Sequence, residues 1–166
     1  MRAWCFTLLL FAGCGYNTTG RSAANVGNLY IPFFADETSG ERAPDLGTRL
    51  TQQLVLEFLR YKEIRVYQRE DERELAQKEL LGTVRRLTEA VLTRSADETE
   101  EEYRVVLTCS IQFTDVENGT VLWQDGGLFG DGNYQIEDGE PGFQRALEEA
   151  LDEVVDKILD KTVRAW

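Results

Sequence analysis

Between Tyr103 and Asp115 the chain places Tyr103, Val105, Leu107, Cys109, Ile111 and Phe113 at alternate positions. Arg104, Thr108, Ser110, Gln112 and Thr114 lie between them, and Val106 is the one apolar residue in that polar set. A side-chain period of two belongs to a strand with one face buried and the other polar. The fold must therefore contain a sheet covered on one side, and Cys109 reads as a small core residue rather than a reactive thiol. Val116 to Thr120 then turns the chain through Asn118-Gly119. A two-residue turn sets Phe113 opposite Gln124. A three-residue loop with Gly119 left-handed sets Phe113 opposite Trp123 and Asp115 opposite Val121. The second register pairs apolar with apolar at the main contact and is preferred.

The rest of the chain supplies the cover. Leu29 to Phe34 reads as a first strand that sits at an edge or ends near Pro32, since proline cannot donate to a ladder. Pro44 suits the first turn of a helix, and Leu46, Leu50, Leu54, Phe58 and Tyr61 form one stripe along it to about Tyr61. Ile64 to Tyr67 alternates as a second strand, and Glu70 to Gln77 is a charged link with helical character. Leu80 to Thr93 reads as a third strand whose alternation breaks at Arg85-Arg86, where a bulge supplies an extra residue. Ser95 to Glu102 reads as a solvated acidic hairpin loop, and Gly126 to Gly139 as an extended, irregular connection. Pro141 opens a final helix whose apolar side runs from Phe143 through Leu147, Leu151 and Val154 to Leu159. The order is strand, helix, four strands, helix. It predicts an α+β, two-layer sandwich, with two helices on one face of a mostly antiparallel sheet of about four to five strands.

The N-terminus carries a different signal. Arg2 precedes a short apolar run from Ala3 to Ala12, and Gly13 precedes Cys14. This is the layout of a secretory signal, too short to span a bilayer, which takes about 20 residues. The cysteine after Ala12-Gly13 resembles the bacterial lipoprotein cleavage box, with Phe11 where leucine is usual. The expected organisation is a signal peptide over 1–13, a lipidated Cys14 with a polar tether over 14–25, and one α+β domain over 26–166. Cys5 leaves with the signal and Cys14 takes lipid, so Cys109 has no disulfide partner. Several acyl chains on one residue give stable anchoring. Gly15 stands where the inner-membrane retention signal of bacterial lipoproteins has Asp, so the resemblance implies delivery to the outer membrane, on its periplasmic face.

Composition removes most catalytic chemistry. The 166 residues include no histidine, with 18 Lys plus Arg against 30 Asp plus Glu, a formal charge of −12. Without histidine there is no Ser-His-Asp or Cys-His catalysis and no imidazole metal ligand. A broadly acidic surface argues against nucleic acid, which needs cations on phosphates. The acidic run from Asp97 to Glu102 lacks the spacing and glycine of a calcium loop. The glycines after Trp123 precede no Gly-Lys-Ser/Thr, so they are not a phosphate loop. The reading is therefore no enzyme, no catalytic residue, no metal and no cofactor. Arg85, Arg86 and Arg94 stand out on or near the third strand, because guanidinium groups suit phosphate and carboxylate. Pairing with nearby glutamates is the competing reading.

The order of FAGCGY, a tether, NLYIPFFADET, APDLGTRLTQQLVLEFLR, EYRVVLTCSIQFTDVENGTVLW, a glycine-rich stretch and an amphipathic helix resembles the lipopolysaccharide-assembly lipoprotein family, LptE. The resemblance covers essentially the whole chain. It implies a non-enzymatic lipoprotein of the outer membrane, with two helices on a four-stranded sheet. Such a protein sits in the lumen of the LptD β-barrel, assists its assembly and contacts lipopolysaccharide. Cys14 carries over as the anchor, while Arg85, Arg86 and Arg94 are ligand candidates from local charge alone. The alternative is a periplasmic lipoprotein that activates a cell-wall synthase. That role needs a long linker, whereas this tether has about a dozen residues at no more than about 3.5 Å each.

Overall fold

The computed structural model describes residues 26–38, 42–94 and 101–164. The segments expected to be the signal peptide, the lipidated Cys14, the tether and the acidic loop over 95–100 lie outside the described residues. Eight main elements follow in chain order: β1 (Asn28–Tyr30), β2 (Ala35–Asp36), α1 (Leu46–Phe58), β3 (Arg65–Tyr67), β4 (Lys78–Arg94), β5 (Glu101–Asp115), β6 (Thr120–Gln135) and α2 (Gly139–Leu159).

The strand anticipated from alternation is β5, flanked by β4 and β6 in antiparallel ladders. Val105, Leu107 and Cys109 are completely buried, and Ile111 and Phe113 nearly so, while the residues between them are half-exposed. The strand starts earlier than expected: Glu101 and Glu102 pair with Arg94 and Thr93 instead of lying in a loop. Phe113 stands opposite Trp123, the preferred register, and Gly119 is left-handed at φ 61°. Asp115 faces Thr120 rather than Val121, because a register shift between Phe113 and Thr114 advances the pairing.

The α+β class holds, with two corrections. The sheet is mixed and six-stranded, ordered β3-β1-β4-β5-β6 with β2 also on β4. The long central ladders are antiparallel, but β1 runs parallel to β3 and β4, and β2 parallel to β4. The physical reason is α1. A helix between two strands returns the chain to run in its former direction, the crossover that parallel pairing requires. Pro32 lies in the gap between β1 and β2, so the expected first strand becomes two short ones. The helical content also exceeds the two expected helices. Glu70–Leu75 forms a 3₁₀ segment, and a π turn over Asp160–Arg164 prolongs α2.

Both helices bury their apolar stripes in one continuous core with the inward face of the sheet. Leu46, Leu50, Leu54 and Phe58 of α1 are completely buried, as are Leu147, Leu151, Val154 and Ile158 of α2. Helix α1 begins at Leu46, later than Pro44 suggested, because Asp45 is left-handed at φ 58° and cannot continue a right-handed helix. Thr51 ties α1 to the sheet edge: its Oγ1 accepts the Phe34 N–H at 2.9 Å and donates to the Gly47 carbonyl at 2.7 Å, all buried.

The stretch expected as an irregular connection is strand from Leu128 to Gln135, in register with β5, which corrects that part of the expectation. Within it the ladder is irregular only at Gly126-Gly127, and Ile136–Asp138 forms a 3₁₀ turn. A Cβ on Gly130 would run into the Ala150 carbonyl oxygen, and one on Gly132 into that of Ala146. Glycines on β6 and alanines on α2 thus let two backbones approach closely, and that packing outweighs glycine's poor strand propensity. Helix α2 also covers part of the free edge of β6. The Asp131 N–H donates to Glu153 Oε2 at 2.7 Å, and Lys157 Nζ donates to the Phe129 carbonyl at 2.7 Å. Occupied edge groups cannot template pairing with another chain.

Candidate functional site

The ladder pairs of β4 with β1 and β2 end at Val84, so beyond it β4 is paired, among the described residues, only with β5. At that point the register shifts between Val84 and Arg86, and Arg85 is the extra residue. The bulge expected from the broken alternation is therefore present. It frees Arg85 from the ladder and turns it toward the chain leaving β2.

A cavity of about 350 Å³ opens there, lined by Arg42, Arg85, Arg86, Glu37, Glu89 and Phe143 among others. Arg85 Nη1 lies 2.7 Å from both carboxylate oxygens of Glu37. The Glu37 N–H donates to the Val84 carbonyl at 2.9 Å, which holds that glutamate beside the bulge. Arg42 comes from the approach to α1. Its Nη1 meets Glu89 Oε2 at 2.7 Å, its Nε meets Glu140 Oε2 at 3.0 Å, and its guanidinium carbon stands 3.7 Å from the centre of the Phe143 ring. Burial opposes the Arg42 charge, but Tyr134, Glu140 and Glu89 outweigh it, and its pKa lies above the ordinary value. Gln144 and Arg42 together hold the Glu140 carboxyl below its usual range. Burial raises the Tyr134 hydroxyl, which also donates to Glu89. Among the described residues Arg86 makes no ion pair, and its side chain is exposed.

The cleft therefore joins two of the three arginines picked out by charge and adds Arg42, which the sequence did not mark. Arg42 lies next to Ala43-Pro44, and only the packing of α2 and β4 beside it brings Phe143 and Glu140 of the helix and Glu89 of the strand into reach. Glu37 was hidden for the same reason, since pairing of β2 with β4 is a tertiary event. Arg94 does not join them. It ends β4 opposite Glu101, eight residues beyond Arg86, which is roughly 26 Å along an extended strand.

The sheet face away from the helices is the second notable surface. Thr83, Thr88, Thr108, Ser110, Gln112 and Thr114 lie on it, and Ser110 and Gln112 border two shallow depressions of about 350 and 170 Å³. Its ionised pair is Arg104 with Asp131, bonded through two contacts at 2.6 and 2.9 Å. Asp131 raises the Arg104 pKa, first through those hydrogen bonds. The same register places Arg86 and the exposed Leu81, Val121 and Phe129 among these hydroxyls and amides, while the outer side of α2 carries Glu148, Glu149, Asp152 and Asp156.

Other chemistry finds little footing. Burial pushes the Cys109 thiol up to about 12, which keeps it protonated and unreactive. Among the described residues no group of His, Cys, Asp and Glu is placed to hold a metal ion. No helix of the described residues is long and apolar enough to cross a membrane.

Residues 26–162 match the family model LptE, described as lipopolysaccharide-assembly. The chain belongs to this family. None of the curated proteins matches it. Among solved structures, the hypothetical protein CT253 from Chlamydia trachomatis superposes with a TM-score of 0.57 at 7% identity, covering 82% of this chain and 97% of that one. Protein XCC0632 from Xanthomonas campestris superposes with a TM-score of 0.57 at 14% identity, covering 82% of this chain and 84% of that one. At such identities these likenesses establish the fold alone. Membership in LptE places the chain in lipopolysaccharide assembly, and the arginine cleft and bare sheet face are the surfaces this LptE member offers.

Proposed function

We propose that this LptE-family protein is the lipid-anchored partner of the LptD β-barrel in the outer membrane. It sits in the barrel lumen, assists assembly of the barrel and contacts lipopolysaccharide during its passage to the surface. The observation that carries this reading is the family match across 26–162, which runs from before β1 through the whole of α2. Residues 1–13 act as the signal peptide, Cys14 carries the lipid, and the stretch to 25 is the tether. The bare sheet face supports the barrel contact, because its hydroxyls and amides suit the polar lumen of an outer-membrane barrel, and its exposed Leu81, Val121 and Phe129 give apolar area for a partner to cover. The cleft at Arg42, Arg85 and Arg86 supports contact with an anionic lipid, since guanidinium groups bind phosphate with geometric specificity. The role is binding and assembly, not catalysis.

The test is affinity purification of the full chain from outer membranes at native expression. The expected result is a one-to-one complex with a large β-barrel and loss of surface lipopolysaccharide on depletion. Recovery without any barrel removes the assembly role.

A further inference from the structure

The cleft at the β4 bulge holds more than a set of cations. Arg85 is occupied by Glu37, and both carboxylate oxygens converge on one guanidinium nitrogen at 2.7 Å. Arg42 is tied to Glu89 and Glu140 and stacked on Phe143, so it forms a fixed wall. Arg86 faces the same cavity and has no ion-pair partner among the described residues. A planar carboxylate already docked on one arginine, beside a second arginine left unsatisfied, is half of a site for a larger anion.

Resting on the reading above, we propose that this cleft binds a phosphate monoester group of the lipid, and that Glu37 is its built-in placeholder, displaced when the phosphate enters. The Arg85 and Glu37 side chains are 48% and 51% exposed. An ion pair that open to water contributes little, so its exchange costs little. A phosphate monoester brings close to two negative charges and three acceptor oxygens, enough for Arg85 and Arg86 together, where a carboxylate satisfies one. The cavity of about 350 Å³ has room for a phosphate on a sugar, and Phe143 and Leu87 offer apolar surface beside it. The backbone bond from Glu37 to the Val84 carbonyl keeps the carboxylate beside Arg85 while the cleft is empty.

The experiment uses the full-length protein purified in detergent, with phosphorylated lipopolysaccharide and the same material enzymatically dephosphorylated as probes. Glu37→Gln removes the competing charge and should tighten binding of the phosphorylated probe by about two- to fivefold, the worth of an exposed ion pair. It should not change binding of the dephosphorylated probe. Glu37→Asp keeps the charge and should not tighten binding. Arg86→Gln should weaken the phosphorylated probe alone. Thermal unfolding of each variant verifies that the fold is kept. If Glu37→Gln leaves affinity unchanged or lowers it, Glu37 merely positions Arg85 and the placeholder is wrong. If the wild-type protein binds both probes equally, the phosphate site is wrong. Capture of the barrel by the same preparation then decides separately whether the assembly reading stands.

Discussion

Asp115 closes β5 and accepts from three donors. Lys78 Nζ lies 2.8 Å from Oδ2, the Asn118 N–H lies 3.1 Å from Oδ1, and Asn118 Nδ2 lies 3.1 Å from Oδ2. The Lys78 hydrogen bond, then those of Asn118, pull its pKa from 3.8 down to about 2. A carboxyl depressed in the folded state stabilises the fold above its unfolded pKa and loses that contribution as pH falls through its folded value. Asp115 therefore contributes fully above about pH 4 and hardly at all below about pH 2. Urea denaturation of wild type and Asp115→Asn checks this. The wild-type advantage at pH 5 should shrink steadily as the pH falls to 2, whereas a gap independent of pH would show that the pairing is not electrostatic. The same scale separates legible residues from illegible ones. Cys109 was readable as core, because alternation alone points it inward. Arg42 was not, because Glu89, Glu140 and Phe143, which hold it, lie 47 to 101 positions away in the chain.

At the scale of elements, the pairing of β6 with α2 carries the clearest consequence. Gly132 faces the Ala146 backbone, whereas nothing lies within 4 Å of a Cβ built on Gly126. Gly132→Ala must push the helix backbone away from the strand, and overpacking of this kind typically costs about 1 to 3 kcal/mol. Gly126→Ala should leave stability within about 0.5 kcal/mol of wild type, as surface substitutions usually do. Equal midpoints for the two variants in denaturant would show that α2 does not ride on β6 as described. This packing also explains the misread stretch after Trp123. Glycine weakens a strand in isolation, and only the presence of a helix a few ångströms away turns it into the residue that fits. The β4 bulge was readable, since two adjacent arginines interrupt an otherwise regular alternation. The strands at Leu29 and Ile64 were readable too, but their parallel pairing was not, because two or three residues carry too little pattern to reveal a partner or a direction.

For the whole molecule, charge and anchoring act together. The formal charge of −12 is unevenly spread, with carboxylates along the outer side of α2 and mostly uncharged groups on the bare sheet face. If Cys14 carries the anchor, Cys14→Ala should leave the domain folded by circular dichroism and move the protein out of the membrane fraction. Retention in that fraction with unchanged mass would show that the anchor lies elsewhere. The sequence by itself determined the α+β class, the inward face of β5, the apolar stripes of α1 and α2, the turn at Gly119 and the family. The family follows from the order of motifs along the chain, and each of the others from a local period or a local dihedral preference that survives translation into any fold that buries one face. Only the tertiary structure decided the mixed sheet, the continuation of β6 through its glycines, and the meeting of Arg42, Arg85, Arg86 and Glu37. Those outcomes depend on which distant surfaces come into van der Waals contact, and no short-range pattern along the chain encodes that distance.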